Sequence, residues 1–238
     1  MHTIDDPDDA LAVLHDPGFV VPPVPAAAHG VAWLRASVGR FSGGAAYPRR
    51  RALSESLLST VDPAALRAAA ASSPYAHPVR LLCAALGLDP SPGTTDAVRV
   101  VAAAYQPGTG DEPAADAAVQ VLIAACGGTA DETTAARIGL LVQACDATAA
   151  LIARARDAGL DTALRDTPPV AATKRMATRP SDVGAARVAP GEVVRVSLHG
   201  IPFGAGPRRC PGRAHALALA EGALSATVGE GVDGGERS

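Results

Sequence analysis

The chain has 238 residues, of which 48% are hydrophobic and only 3% aromatic, and a formal net charge of −3. That supply of apolar side chains is enough for a real core filled by small aliphatics, and the scattered charge lacks the one-sided basic footprint of a nucleic-acid binder. The acidic opening MHTIDDPDDA is unlike a signal peptide or membrane anchor, no apolar stretch reaches the ~18 residues of a membrane span, and Cys83, Cys126, Cys145 and Cys210 lie far apart with no CxxC, so a cytoplasmic, soluble protein without a zinc site, disulfide framework, nucleic-acid partner or membrane contact is expected.

Ala, Leu and Val dominate, and strand-favouring residues are sparse outside one short region, so the fold class expected is mainly α with a small β-sheet. Residues 8–15 read as a short helix, followed by the Pro-rich loop FVVPPVPAAAHG. Helices follow over 31–40 and 48–59, then from Asp62-Pro63 to near Ala71, and again over 78–86 and 94–105. QPGTGDEP, 106–113, reads as a linker by its Pro and Gly content.

The best-defined element is a long helix over 130–158, with Thr129 and Glu132 as a capping box and Gly159 just past its end. It is apolar on nearly every face from Ile138 to Ile152, as expected of a helix crossing the interior, so Asp146 in its middle needs a reason. A short helix over 160–166 stops at Pro168-Pro169, and 170–198, with GEVVRVSL, reads as a small sheet. A rigid loop IPFGAGPRRCPG leads into a helix over 211–223. One domain is expected over 1–228, with GEGVDGGERS, 229–238, as a disordered tail.

The run Phe203-Gly204-Ala205-Gly206-Pro207-Arg208-Arg209-Cys210-Pro211-Gly212 resembles the haem-binding loop of cytochromes P450, in which Phe, Gly, Gly, Arg or His, Cys and Gly recur at this spacing. The alternative is a Gly-rich turn carrying an ordinary buried cysteine; a dinucleotide-binding GxGxxG is excluded because Arg209 stands where the third Gly belongs. Glycines allow close approach to a flat macrocycle, and Pro211 suits the first turn of a helix whose N-terminus would stabilise a Cys210 thiolate. The resemblance implies Cys210 as the axial iron ligand, with Phe203, Gly204 and Gly212 shaping the cofactor site, and haem b as the cofactor; a thiolate ligand favours O–O cleavage.

The same resemblance extends outward. Arg208, two residues before the cysteine, matches a family contact to a haem propionate. YPRRR is similar to the family's His-x-x-x-Arg, with Tyr47 in place of His and Arg51 retained, and Arg175 in ATKRMAT matches a third arginine leading into the sheet. Each alone would be a surface charge; their shared order along the chain assigns them to the propionates. LLVQACDATAALI resembles the family's central helix, whose acid–alcohol pair lies over the distal haem face. Asp146 then takes the acid's role, but the alcohol position holds Ala147, leaving Thr148 as the neighbouring hydroxyl. The alternative for Asp146 is a kink cap or a partner for an arginine.

The departures imply a shortened fold. The match begins near the family's second helix, without the first sheet strands, and 106–130 is too short for the helix pair that roofs the substrate pocket, so an open roof is expected. The meander shrinks to Leu198–Pro202, and Glu-x-x-Arg becomes Thr162-Ala163-Leu164-Arg165; losing the meander arginine and the Glu together avoids a lone buried carboxylate. The function implied is a haem-thiolate monooxygenase or peroxygenase-like oxidoreductase of bacterial secondary metabolism, acting on a small organic molecule. It would use a ferredoxin-type electron donor or peroxide, with a homodimer or helper partner completing the site. The alternatives are a non-catalytic P450-like helper and a haem-binding sensor or carrier.

Overall fold

The computed structural model describes residues 1–225, so the expected tail and the end of the expected domain at 228 lie outside the described residues. Ten helices dominate those residues, and most of them start in the same way. Asp6 accepts the N–H groups of Asp8 and Asp9 at the start of α1 (Pro7–His15), and Asp62 accepts that of Ala64 at the start of α4 (Pro63–Ser72). His77, Ser91 and Asp111 do the same for α5 (Pro78–Ala85), α6 (Pro92–Ala103) and α7 (Glu112–Ala125). All five carry proline at one of the first two helical positions, where the missing N–H is no loss and the ring presets φ. Helix α2 (Gly30–Ser37) has no such cap of its own; Asp116, from α7, accepts the N–H of Val31 at 2.7 Å instead.

The central helix α8 spans Glu132–Ala158. Its cap is Asp131, which accepts from the Thr134 N–H at 2.7 Å, and not the expected Thr129–Glu132 box. Glu132 is otherwise engaged, with Arg49 and Arg50 of α3 (Ala46–Ser59), at 2.7 and 2.8 Å. By length and composition α8 could cross a membrane, but 56% of its most apolar window is buried within the chain. Its first half shares one core with α2, α5, α6 and α7, through Leu34, Val79, Val98, Leu122, Ile138 and Leu141. Its second half packs Leu151, Ile152 and Ala155 against Ala163 of α9 (Leu160–Asp166) and against Ala220 and Ala223 of α10 (Arg213–Ser225). Helices α4 and α10 meet at Leu66, Ala70 and Leu219. Burying each Leu, Ile or Val here contributes roughly 1.5–3 kcal/mol, and each Ala methyl only about 0.8 kcal/mol.

Two expectations are corrected by this packing. The segment read as a linker and a gap contains α7, which lies against α6, α2 and α8. The N-terminal segment does supply sheet strands. β1 (Thr3–Ile4) pairs in parallel with β6 (Val193–Ser197), and β2 (Phe19–Val20), in the stretch read as loop, pairs antiparallel with β3 (Ala172–Ala177). The sheet order is β1-β6-β3-β2, with β4 (Ser181–Val183) and β5 (Ala186–Val188) as a separate hairpin. Phe19, Ala177, Val194 and Val196 of this sheet bury against Val13 and Leu14 of α1.

Candidate functional site

The loop between the sheet and α10 is held in a left-handed course. Phe203 has φ 71°, the one positive φ outside glycine among the described residues, and Gly204 and Gly206 follow at 71° and 67°. Positive φ at a bulky residue costs on the order of 1–3 kcal/mol and persists only where the surroundings impose it. Here the Cys210 N–H donates to the Phe203 carbonyl at 2.8 Å and closes the loop, while a Cβ at Gly206 would collide with the Leu14 carbonyl of α1. The end of α1 thus braces the loop from outside.

Cys210 ends this loop three residues before α10, so Pro211 is not in the first turn of the helix as expected and Cys210 is set back from its N-terminus; Pro211 and Gly212 form a turn between them. Cys210 is exposed as a residue, but neighbouring chain crowds its sulfur. That burial pushes its pKa up, against a hydrogen bond from the Gly212 N–H and the positive charges of Arg51 and Arg40. A groove of about 290 Å³ opens beside it, lined by Arg51, Glu55, Leu58, Arg209 and His215. His215, which sequence reasoning missed, places Nε2 3.1 and 3.0 Å from the carbonyls of Leu58 and Val61, tying α10 to the end of α3.

Helix α3 grips the loop from the other side. Tyr47 donates its hydroxyl to the Pro207 carbonyl at 2.7 Å, and Arg51 donates Nη1 to the Arg209 carbonyl at 2.7 Å while its Nε pairs with Glu55. Both residues assigned to propionates therefore spend donors on the loop backbone. The Arg208 guanidinium stacks 3.8 Å over the Tyr47 ring and donates to the Ser42 carbonyl at 2.6 Å. Arg175, only 5% exposed, donates to Thr173 Oγ1 and the Lys174 carbonyl at 3.0 and 2.8 Å. Its pKa is pushed down to about 10, first by burial and then by the charges of Arg208 and Arg40. Burial also lowers that of Arg208, with Arg51 adding to the effect.

Among the described residues no carboxylate pairs with Arg40, Arg175 or Arg208, and Glu55 is the one acid engaged with this group. A cluster of mutually repelling, partly dehydrated guanidiniums is costly unless an anion completes it. Two carboxylates on one edge of a flat ligand beside Cys210 fit that requirement. Arg40 was missed by the sequence reading because only the fold brings the turn at Gly39–Phe41 to Arg175.

The α8 residues stand apart from this cluster. Asp146 is exposed, which supplies the reason a charge is tolerated there, and its charge acts on His77 together with that of Arg99. Ala147 is half-buried, while Thr148 is 3% exposed, turned into the packing. Cys145 is fully buried, and burial raises its thiol pKa to about 12, with the charge and hydrogen bond of Asp146 adding to it. Arg165, matched to the family's buried arginine, is exposed and paired with Asp166. A second groove, about 410 Å³, runs between the loop after β2 and the turn before α3, lined by Val21, Pro23, Val24, Phe41, Arg50 and Met176.

No protein-family model matches the sequence, and no curated protein matches it. The fold does match solved structures. P450 RauA, complexed with a biosynthetic intermediate of aurachin RE, aligns with a TM-score of 0.71 at 14% identity, over 94% of this chain and 83% of that one. CYP164A2 of Mycobacterium smegmatis in its ligand-free state gives 0.66 at 18%, over 93% and 82%. P450BioI, in complex with an acyl carrier protein ligated to hexadec-9Z-enoic acid, gives 0.65 at 15%, over 94% and 83%.

Proposed function

From the premise that this chain has a shortened cytochrome P450 fold, we propose that it binds haem b through Cys210 and is a haem-thiolate oxidoreductase, a monooxygenase or peroxygenase-like enzyme, acting on a small organic molecule. The observation that carries this reading is the position of Cys210: an exposed cysteine on a strained, externally braced loop, beside a cluster of arginines that lacks an acid. Arg175 and Arg208 would hold the propionates, with Arg40 adding positive field, while Tyr47 and Arg51 fix the loop that presents the sulfur. The haem, when bound, supplies activation of dioxygen or peroxide at its iron.

The chain's own residues set the limits of that chemistry. Burial favours the Cys210 thiol in the haem-free chain, and the Gly212 N–H, Arg51 and Arg40 offset part of that. Asp146, in contact with solvent and acting electrostatically on His77, would take protons from water and pass them on along α8. Ala147 carries no hydroxyl to receive them, and Thr148 lies about 100° further round the helix. A water or a substrate hydroxyl has to take that place, and peroxide, which arrives reduced and protonated, avoids the need. A small substrate of the biosynthetic kind held by RauA, and electrons from a ferredoxin-type donor, belong to this proposal.

A second reading, a haem-binding helper protein, is favoured by the same missing hydroxyl at Ala147. The two share Cys210 and differ in turnover. The test is the absorption spectrum of the reduced, carbon monoxide-bound protein: the red-shifted Soret band of a thiolate ligand is expected, lost in Cys210→Ala and kept in Cys145→Ala. The opposite pattern, or no haem uptake, rejects the assignment.

A further inference from the structure

The sheet has a second face that the haem chemistry leaves unused. Along β3, Thr173, Arg175 and Ala177 share the face that packs on α1, so Ala172, Lys174 and Met176 point the opposite way. Lys174, the one lysine in the chain, is exposed, and the register sets the half-buried Arg195 of β6 directly across from it. Opposite residues on paired strands stand about 5 Å apart, and like charges there repel. Neither cation has a side-chain hydrogen bond or an ion pair among the described residues. Glu192, three residues before Arg195, is held instead by His2 at 3.3 Å and by the Ala189 N–H at 3.1 Å. An anion set between Lys174 and Arg195 removes their repulsion.

The next row of the same face is apolar. Met176 stands between Val193 of β6 and Val20 of β2, its partners in register. Met176 and Val20 also line the groove of about 410 Å³, which continues past Val21, Val24 and Phe41. Arg50 is the one charged residue in that lining, and its guanidinium is taken by Glu132, the Ala36 carbonyl and Ser42 Oγ. The groove therefore accepts apolar surface and offers no free charge of its own. Lys174 lies two residues from Met176, about 7 Å along the strand. A chain seated in the groove and passing over Met176 brings a terminal anion to the two cations. The fork of an arginine matches the two oxygens of a carboxylate, and a recess of this size suits one chain rather than a flat bilayer.

We propose that this face of the sheet is a binding site for an aliphatic carboxylate, its chain in the groove beside Met176 and its head group between Lys174 and Arg195. The site lies across β3 from Arg175, so it does not depend on haem and goes beyond the oxidoreductase reading.

The test is calorimetric titration of the haem-free chain with decanoate, below its micelle concentration, and with decanol, which has the same chain length and no charge. The native chain should bind decanoate about tenfold or more tightly than decanol. The double variant Lys174→Gln, Arg195→Gln should lose that preference, keep its affinity for decanol and melt no lower than the native chain. Ala36→Leu, which fills part of the groove and leaves both cations in place, should weaken both probes. Equal affinities in the native chain, a preference that survives the double variant, undiminished binding by Ala36→Leu, or no saturable binding at all overturns the proposal. Cosedimentation with phosphatidylglycerol vesicles that needs both cations, without decanoate binding, assigns the face to an anionic membrane surface and overturns it too. Haem uptake is followed separately at the iron absorption band, and its failure rejects the haem-thiolate reading while leaving these titrations standing.

Discussion

Arg51 donates a 2.7 Å hydrogen bond to the carbonyl of Arg209, the residue immediately before Cys210. Its other arm is neutralised by Glu55 one turn along α3, so this arginine acts first as a clamp on the loop and second as a charge near the sulfur. Arg51→Gln should therefore lower the melting temperature of the haem-free protein. A charge-assisted hydrogen bond of roughly 1.5–3 kcal/mol corresponds to about 3–10 °C in a chain of this size. Scanning calorimetry that finds no shift contradicts the clamp.

Arg175 should behave oppositely. Its folded-state pKa is depressed, so its charge opposes folding at every pH below about 10, and that penalty is relieved only as pH rises above it. Arg175→Met should leave the haem-free protein as stable or more so, yet weaken haem binding about tenfold or more. Arg154→Met, remote from the cluster and bonded to the Thr167 carbonyl, should leave haem affinity unchanged. Haem titrations giving equal affinities for both variants would remove Arg175 from the cofactor site.

The thiols should separate by reactivity. Burial raises the pKa of Cys83 to about 11 and that of Cys145 to about 12, and both are fully enclosed, whereas Cys210 is exposed. A maleimide should label Cys210 first in the haem-free protein, leave Cys83 and Cys145 untouched until unfolding, and lose access to Cys210 on haem loading. Mass spectrometry of the labelled peptides decides this. Early labelling of Cys145 would contradict the packing of α8.

Glu132 links α8 to α3 through Arg49 and Arg50, and these hydrogen bonds and charges hold its carboxyl down at about 2. A depressed carboxylate contributes stability above its unfolded pKa, and that contribution is lost as pH falls through the folded value. Glu132→Gln should cost about 0.5–1 kcal/mol at neutral pH, as befits a partly exposed network, and the difference from the native chain should vanish toward pH 2. Urea melts at pH 7 and at low pH measure it.

The charge of Asp146 raises the pKa of His77, against burial and Arg99, which lower it. Asp146→Asn should shift the His77 titration further down, visible by NMR without any haem. In the loaded protein it should cut dioxygen-dependent turnover by about 10²-fold and spare peroxide-driven turnover, while Ala147→Thr should improve coupling. Harmless Asp146→Asn alongside efficient use of dioxygen rejects the proton route.

Local chemistry was legible in the residues. The loop Phe203–Gly212, the long apolar helix with Gly159 behind it, and the starts at Asp62-Pro63 and Pro78 depend on contacts within a few positions, so sequence alone determined them. Helix α7 carried the same signature at Asp111-Glu112-Pro113, hidden by the Pro and Gly of the run that precedes it. The rest depended on partners far along the chain. Thr3–Ile4 and Phe19–Val20 are strands only because β6 and β3 supply their hydrogen bonds, and α2 is capped by Asp116, 85 residues away. Whether Arg51 faces a cofactor or the Arg209 carbonyl, and whether Tyr105 finds a partner for its hydroxyl, is a matter of orientation within a packed core. A residue's type sets the bonds it can make; which of them form is decided by the neighbours that tertiary packing leaves within about 3 Å.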